Sequence, residues 1–289
     1  MKLDLRRGCS IAVAVRSLDR VVETYTEALG LGPFTREEHT LERTMLAGRP
    51  SPARVRIATA SLGPCEMELI EVTGGRPPHA EFLETHGEGM NHLNLDKRTH
   101  EGYLDTLSTL YHRGIEPFWG YPFGSFSYVE SPDFAGVTFE VMVGSGHAGK
   151  LGHNHLGLVV ADTDRTIDFY SKTMGLGPFR TGEYPMTRAY YRDDRIEARF
   201  KASFCDLGES RLRLFEVLEG ETPFGEQLSR HGEGMHHLCL PVERLDDALA
   251  DLEAAGIAAR WRSEELRVAQ LDAVSVGGMR FAISDAPAP

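Results

Sequence analysis

The stretch His86-Gly87-Glu88-Gly89-Met90-Asn91-His92-Leu93 returns as His231-Gly232-Glu233-Gly234-Met235-His236-His237-Leu238. The offset is 237 − 92 = 145 residues, about half of a 289-residue chain. Each copy follows a Glu-rich, helix-like segment and precedes a strand-like run rich in leucine. An internal repeat decides architecture before any local feature does, so every other motif is sought in both copies.

Working outward, Ser10–Phe34 matches His155–Phe179 at the same offset, and both end in Gly-Leu-Gly-Pro-Phe. Each opens on an apolar run, Ile11-Ala12-Val13-Ala14-Val15 or Leu156-Gly157-Leu158-Val159-Val160, suited to a buried strand. A helix follows, with Asp162 or Asp164 at the N-cap place, and the paired glycines stop it. Strands are expected over 54–61 and 66–72, answered by 198–206 and 211–217. Short helices at 80–86 and 225–231 lead into the repeated turn. Beyond it come a strand (92–95 or 237–240), a helix clearest at 245–255, and three short strands. Those are 116–119, 125–130 and 137–143, then 258–262, 268–271 and 279–283. Past the second helix the offset falls to 256 − 114 = 142. The chain therefore reads as α+β, four βαβββ modules in two tandem units: 1–145 (modules 8–73 and 86–144) and 151–289 (modules 152–218 and 231–285). The Gly-rich stretch around 146–150 reads as the linker. One module cannot cover both faces of its sheet, so modules should pair as curled mixed sheets forming cups, with helices outside.

Composition narrows the function. A net charge of −12 leaves no Lys/Arg stripe for nucleic acid. No apolar run approaches 18 residues and Met1–Arg7 lacks a signal-type core, so no membrane and a cytoplasmic location are expected. Cys9, Cys65, Cys205 and Cys239 form no CxxC pair and read as reduced thiols.

These segments, together with Glu68-Leu69-Ile70-Glu71 and Asp168-Phe169-Tyr170, resemble the vicinal oxygen chelate (VOC) superfamily, chiefly its glyoxalase and methylmalonyl-CoA epimerase branch. The resemblance covers nearly the whole chain. It implies paired glyoxalase-like βαβββ units with one divalent metal (Fe, Mn, Co, Zn, Ni or Mg) at the floor of a cup. Carried over residue by residue, the implied ligand places are Ser10, Glu68, His92 and Glu140 in the first half. In the second they are His155, Arg213, His237 and Ala282. Arg213 and Ala282 are not side-chain ligands at neutral pH. If cups form within halves, Glu68, His92 and Glu140 make a hard donor set. If they form across halves, His92, Glu140 and His155 make a 2-His-1-carboxylate face, with Arg213 holding a substrate carboxylate. Ser10, Tyr128 and His237 complete the candidate substrate contacts.

Each of these residues also has a structural reading. A strand histidine is often a satisfied core residue, and Glu140 has a solvent-facing alternative under strand alternation. His86 and His231 read as cations closing a helix C-terminus. The aromatic cluster Phe118, Trp119, Tyr121, Phe123, Phe126 and Tyr128, taken as unmatched in the second half, would either line a cup or pack an extra loop. The leading expectation is a metal-dependent isomerase, epimerase or lyase. It would act on a small carbonyl, carboxylate or thioester substrate, with Glu68 moving the proton. The runner-up is an extradiol-type Fe(II) ring-cleavage dioxygenase, followed by a metal-free small-molecule binding or resistance protein. A monomer or homodimer is expected.

Overall fold

The computed structural model describes residues 9–62, 65–97, 99–121, 124–144, 155–207, 210–272 and 277–286. The expected linker at 146–150, Phe123 and the outer limits of both units lie outside these residues. In the first half the elements run β1 (Cys9–Val15), α1 (Leu18–Leu29), β2 (Thr35–Leu41), β3 (Met45–Leu46), β4 (Arg49–Pro50), β5 (Ala53–Ser61) and β6 (Cys65–Gly75). Then come α2 (Pro78–Thr85), β7 (Gly89–Lys97), α3 (His100–Tyr111), β8 (Pro117–Gly120), β9 (Phe126–Val129) and β10 (Thr138–Val143). The second half runs β11 (His155–Val159), α4 (Thr163–Phe169), β12 (Arg180–Tyr191), β13 (Asp194–Leu207), β14 (Ser210–Glu219) and α5 (Pro223–His231). It closes with β15 (Gly234–Pro241), α6 (Leu245–Ala254), β16 (Ala259–Ser263), β17 (Val268–Leu271) and β18 (Phe281–Ser284).

Each half builds its own curled sheet. The first is ten-stranded in the order β2-β5-β6-β1-β7-β10-β9-β8-β3-β4. The second is a closed barrel, β11-β14-β13-β12-β16-β17-β18-β15. In each, the opening strand is paired parallel to its own module's last strand and antiparallel to the strand of the repeated turn. Cups therefore form within halves. The grouping of His92 and Glu140 with His155 in one site is corrected here, because backbone pairing places His155 in the other sheet. A π-turn at Tyr170–Met174 extends α4, and left-handed Gly30 and Gly175 end the two first helices. The one element type that the sequence reading omitted is β2 with its counterpart β12. Thr35–Leu41 is polar on both faces and mostly exposed, so neither alternation nor an apolar run marks it. Where β12 runs unbroken, the matching stretch splits at Glu42-Arg43-Thr44, and β3 then pairs with β8 as β12 pairs with β16.

The two units meet along a pseudo-symmetric seam. Tyr25 of α1 packs edge-on against Phe281, and Tyr170 packs against Phe139 and donates to the Phe134 carbonyl. The main apolar core runs through this seam, with Val21 and Phe139 of the first half and Leu158 and Phe281 of the second in one cluster. The glutamates of the repeated turn serve the same geometry. Glu88 accepts from Arg16 N and Arg20, and Glu233 accepts from Ala161 N and Arg165. Each carboxylate thus ties its turn to the entry of its unit's first helix. Among the described residues no helix is long and apolar enough to cross a membrane.

Candidate functional site

The first cup keeps the acids but is filled. Ala12 pairs with Glu68 on one side and His92 on the other, while Glu140 pairs with Asn94 and Tyr128, so these side chains share the concave face. His92 is completely buried. Its Nδ1–H donates to Asn91 Oδ1 (2.9 Å), leaving Nε2 as an acceptor 3.2 Å from the Tyr128 hydroxyl and 3.3 Å from Glu140 Oε2. The last contact resembles an ion pair, but burial pushes the His92 pKa down to about 3. At neutral pH the ring is an uncharged acceptor facing a carboxylate. Tyr128 also meets His79 Nε2 at 3.3 Å, and His79, His92, Trp119 and Tyr128 pack edge to face. The aromatic cluster therefore plugs this cup. Glu68 accepts from Asn94 at 3.1 Å, and Ser10 is buried.

The second barrel keeps a chamber but loses the acid. A cavity of about 220 Å3 is lined by His155, His237, Arg213, Gln270 and a wall of Phe200, Phe204, Phe215, Phe224 and Trp261. The two ring nitrogens His155 Nε2 and His237 Nε2 lie 3.3 Å apart. His237 Nδ1 meets His236 Nδ1 at 3.0 Å, which fixes the ring from behind. Burial holds both chamber histidines neutral, helped by the positive charge of Arg213, and His237 is pushed down to about 3. A Cβ on Gly157 would lie 2.1 Å from His237 Cε1, so the ring rests where only glycine leaves room. The matching residue in the first half is Ala12. Position 282 is Ala, and the residue opposite it across the ladder is Gln270, whose amide nitrogen has no partner.

His79, Asn94, Trp261, Gln270 and the phenylalanine wall of these interiors escaped the sequence reading, and His236 was read there only as part of the repeat. For Trp261 and Gln270 the signal was present in the 142-residue offset, since 119 + 142 = 261 and 128 + 142 = 270. Trp119 is matched by Trp261, which corrects the view that the aromatic cluster has no counterpart. Tyr128 is matched by Gln270, and the exchange of a phenol for a shorter amide helps open the second chamber. His86 caps α2 and stacks on Phe82, in line with a helix-end role. Cys205 and Cys239 are buried thiols pushed up to about 12, so they are inert.

The paired curled sheets and the doubled ligand places agree with a direct family match. Residues 9–123 and 154–269 both match the Glyoxalase/Bleomycin resistance protein/Dioxygenase superfamily. The chain belongs to that superfamily. Its members are mostly metal-dependent enzymes. Mitochondrial methylmalonyl-CoA epimerase of Homo sapiens is 26% identical over 126 residues, 43% of this chain and 64% of the relative. The 4-hydroxyphenylpyruvate dioxygenase of Caenorhabditis briggsae is 28% identical over 105 residues, 36% of this chain and 24% of that protein. The chain thus spans less than two thirds of these relatives. A mutant of 4-hydroxymandelate synthase from Streptomyces coelicolor has the same two-unit fold, with a TM-score of 0.61 at 14% identity, covering 97% of this chain and 93% of that one.

The residues present fit the superfamily's divalent metal only in part. Two ligand atoms on one ion, each bonded at about 2.1 Å, stand roughly 3.0–3.4 Å apart. The His155–His237 and His92–Glu140 pairs both have that spacing. Neutral imidazoles with an oriented second nitrogen are the form that ligates. Among the described residues, however, no group of three His, Cys, Asp or Glu converges. Each unit offers a fitting pair, and a third donor of those types is absent from both sites.

Proposed function

We propose that this protein is a metal-dependent isomerase or lyase of the superfamily whose reaction chamber is the barrel of the second unit. The observation that carries the reading is the His155–His237 pair opening onto a cavity that also holds Arg213. His155 and His237 would hold the ion, which when bound supplies Lewis acidity to a carbonyl oxygen. With Ala282 in place of an acid, these two imidazoles alone of the ligand places would hold the ion. Arg213 anchors a substrate carboxylate, and the aromatic wall keeps water from the reacting carbon. Glu68, expected to move the proton, sits in the filled first cup with Asn94 and does not serve this chamber. The first unit acts as a structural half in this proposal, its His92–Glu140 pair retained under Tyr128.

Metal analysis of untagged protein, paired with deuterium exchange beside a carbonyl, tests the proposal. Metal and exchange should both disappear in His155→Ala and His237→Ala and persist in His92→Ala. The reverse pattern would move the chemistry to the first cup. Protein that neither carries nor takes up metal at micromolar levels would support the second reading, a metal-free binding protein, which Ala282 favours. Iron content with oxygen uptake on catechols would indicate a dioxygenase instead.

A further inference from the structure

The second barrel is short of acceptors. Trp261 Nε1, Gln270 Nε2 and Arg213 Nε are buried donors without partners, and all three residues line the same cavity. No acid lies within ion-pair reach of Arg213 among the described residues, while Arg180 and Arg211 share the Phe204 ring with it at 4.4, 5.3 and 5.9 Å. The one carboxylate on the cavity wall among the described residues, Glu265, is committed to the backbone N–H groups of Thr187 and Arg188 and to the Thr187 hydroxyl. Burying these three donors unmatched, one of them part of a cation, is expensive unless a ligand supplies the acceptors.

We propose that the chamber takes a monocarboxylate with a ring-sized planar body, its carboxylate on Arg213 and its body between the aromatic walls. Two features fix the class beyond "anion". The cavity measures about 220 Å3, and roughly 150 Å3 already admits a benzene ring, so a ring with one small polar group fits. Phe215 and Phe224 stack at 4.8 Å with Phe200 edge-on at 5.1 Å, giving flat apolar faces rather than a polar sleeve. The second feature is the charge count. Arg213 is the lone permanent cation among the described lining residues, so without an ion on the His155–His237 pair a dicarboxylate would bury one anion unpaired. The ring carbonyl or hydroxyl oxygens of such a ligand would then meet Gln270 and Trp261.

This inference rests on the second barrel being the chamber, and its test reads binding, not turnover. Benzoate and benzamide are titrated calorimetrically into the protein as purified, and malonate and benzoate into protein freed of divalent ions by a chelator. The sequence has two tryptophans, so Trp119→Phe leaves Trp261 as the sole tryptophan, a reporter in the chamber when excited selectively. Benzoate should bind, quench Trp261, and outbind benzamide and malonate at least about tenfold, the ratio expected for a charge-assisted contact. Arg213→Met should weaken benzoate by a similar factor and leave benzamide unchanged. Equal affinity for benzoate and benzamide, tighter malonate binding, or no response of Trp261 would overturn the inference. Benzoate binding without metal would leave it standing while the metal-dependent function falls. Metal-dependent exchange without benzoate binding would do the opposite.

Discussion

At the scale of single residues, the two halves differ most tellingly where they are superposable. His79 on α2 occupies the place held by Phe224 on α5, since 79 + 145 = 224. His79 is buried with Nδ1 unpartnered, and burial together with its neighbour His92 pushes its pKa down to about 3. An unfolded chain releases that proton near pH 6.5. Between about pH 6.5 and 3 the unfolded state binds more protons, so stability falls as pH falls through that window. Each such imidazole removes up to about 1.4 kcal/mol per pH unit, or about 2 kcal/mol by pH 5. His79→Phe copies the solution already used in the second unit. Its midpoint of thermal unfolding should drop a few degrees less than that of the parent between pH 7 and pH 5. Identical acid shifts in both proteins would show that His79 is not held neutral.

At the scale of elements, the chain's order was legible wherever apolar periodicity or a helix stop repeated. β1, β5, β6, β7 and their partners in the second half carry alternating or continuous apolar runs, and Gly30 and Gly175 punctuate the helices. What stayed hidden had a physical cause in each case. β2 is polar on both faces, the pairing of modules is a long-range property, and the plug over His92 depends on which aromatic points inward. The candidate ligand positions were legible from the repeat as places on the strands, yet only the folded chain shows that Tyr128 fills one cup and Gln270 helps leave the other open. The seam between units was equally unreadable, although glycines mark it. A Cβ at Gly278 would lie 1.7 Å from the Glu88 carbonyl oxygen, and one at Gly136 would lie 2.1 Å from that of Glu233. Backbone meets backbone there, so nothing can swing aside. Gly256 is the natural control, with φ +79 and open space around it. Gly256→Ala should cost about 1 kcal/mol from left-handed strain alone, whereas Gly278→Ala should lose at least about 2 kcal/mol more by prising the units apart. Denaturant midpoints for the pair measure this, and equal losses would mean that the seam is loose.

For the whole molecule, duplication has been followed by an exchange of charge. The first interior holds Glu68 and Glu140 beneath Tyr128, and the second holds Arg213 and two neutral histidines around a chamber. Among the described residues, the acids at the ligand places lie in one unit and this cavity in the other. This asymmetry predicts what restoring the acid would do. Ala282 is fully buried and faces Gln270 across β17 and β18, on the face that carries the chamber. Ala282→Glu would place a carboxylate beside the His155–His237 pair and rebuild a three-donor set. In chelator-treated buffer that charge would sit at a fully buried position with little water, so the variant should be less stable than the parent. With a divalent ion present the sign should reverse. A ligand that binds the folded state alone at 100 times its dissociation constant adds about 2.7 kcal/mol, and a third protein donor lowers that constant. Thermal melts with and without Mn, Co or Zn therefore give the decisive comparison. The metal-dependent rise should be larger in Ala282→Glu than in the parent, and Glu140→Ala in the first cup should leave the parent's rise unchanged. An Ala282→Glu protein that is destabilised equally with and without metal would show that His155 and His237 are packed as core residues and do not form a latent metal pair.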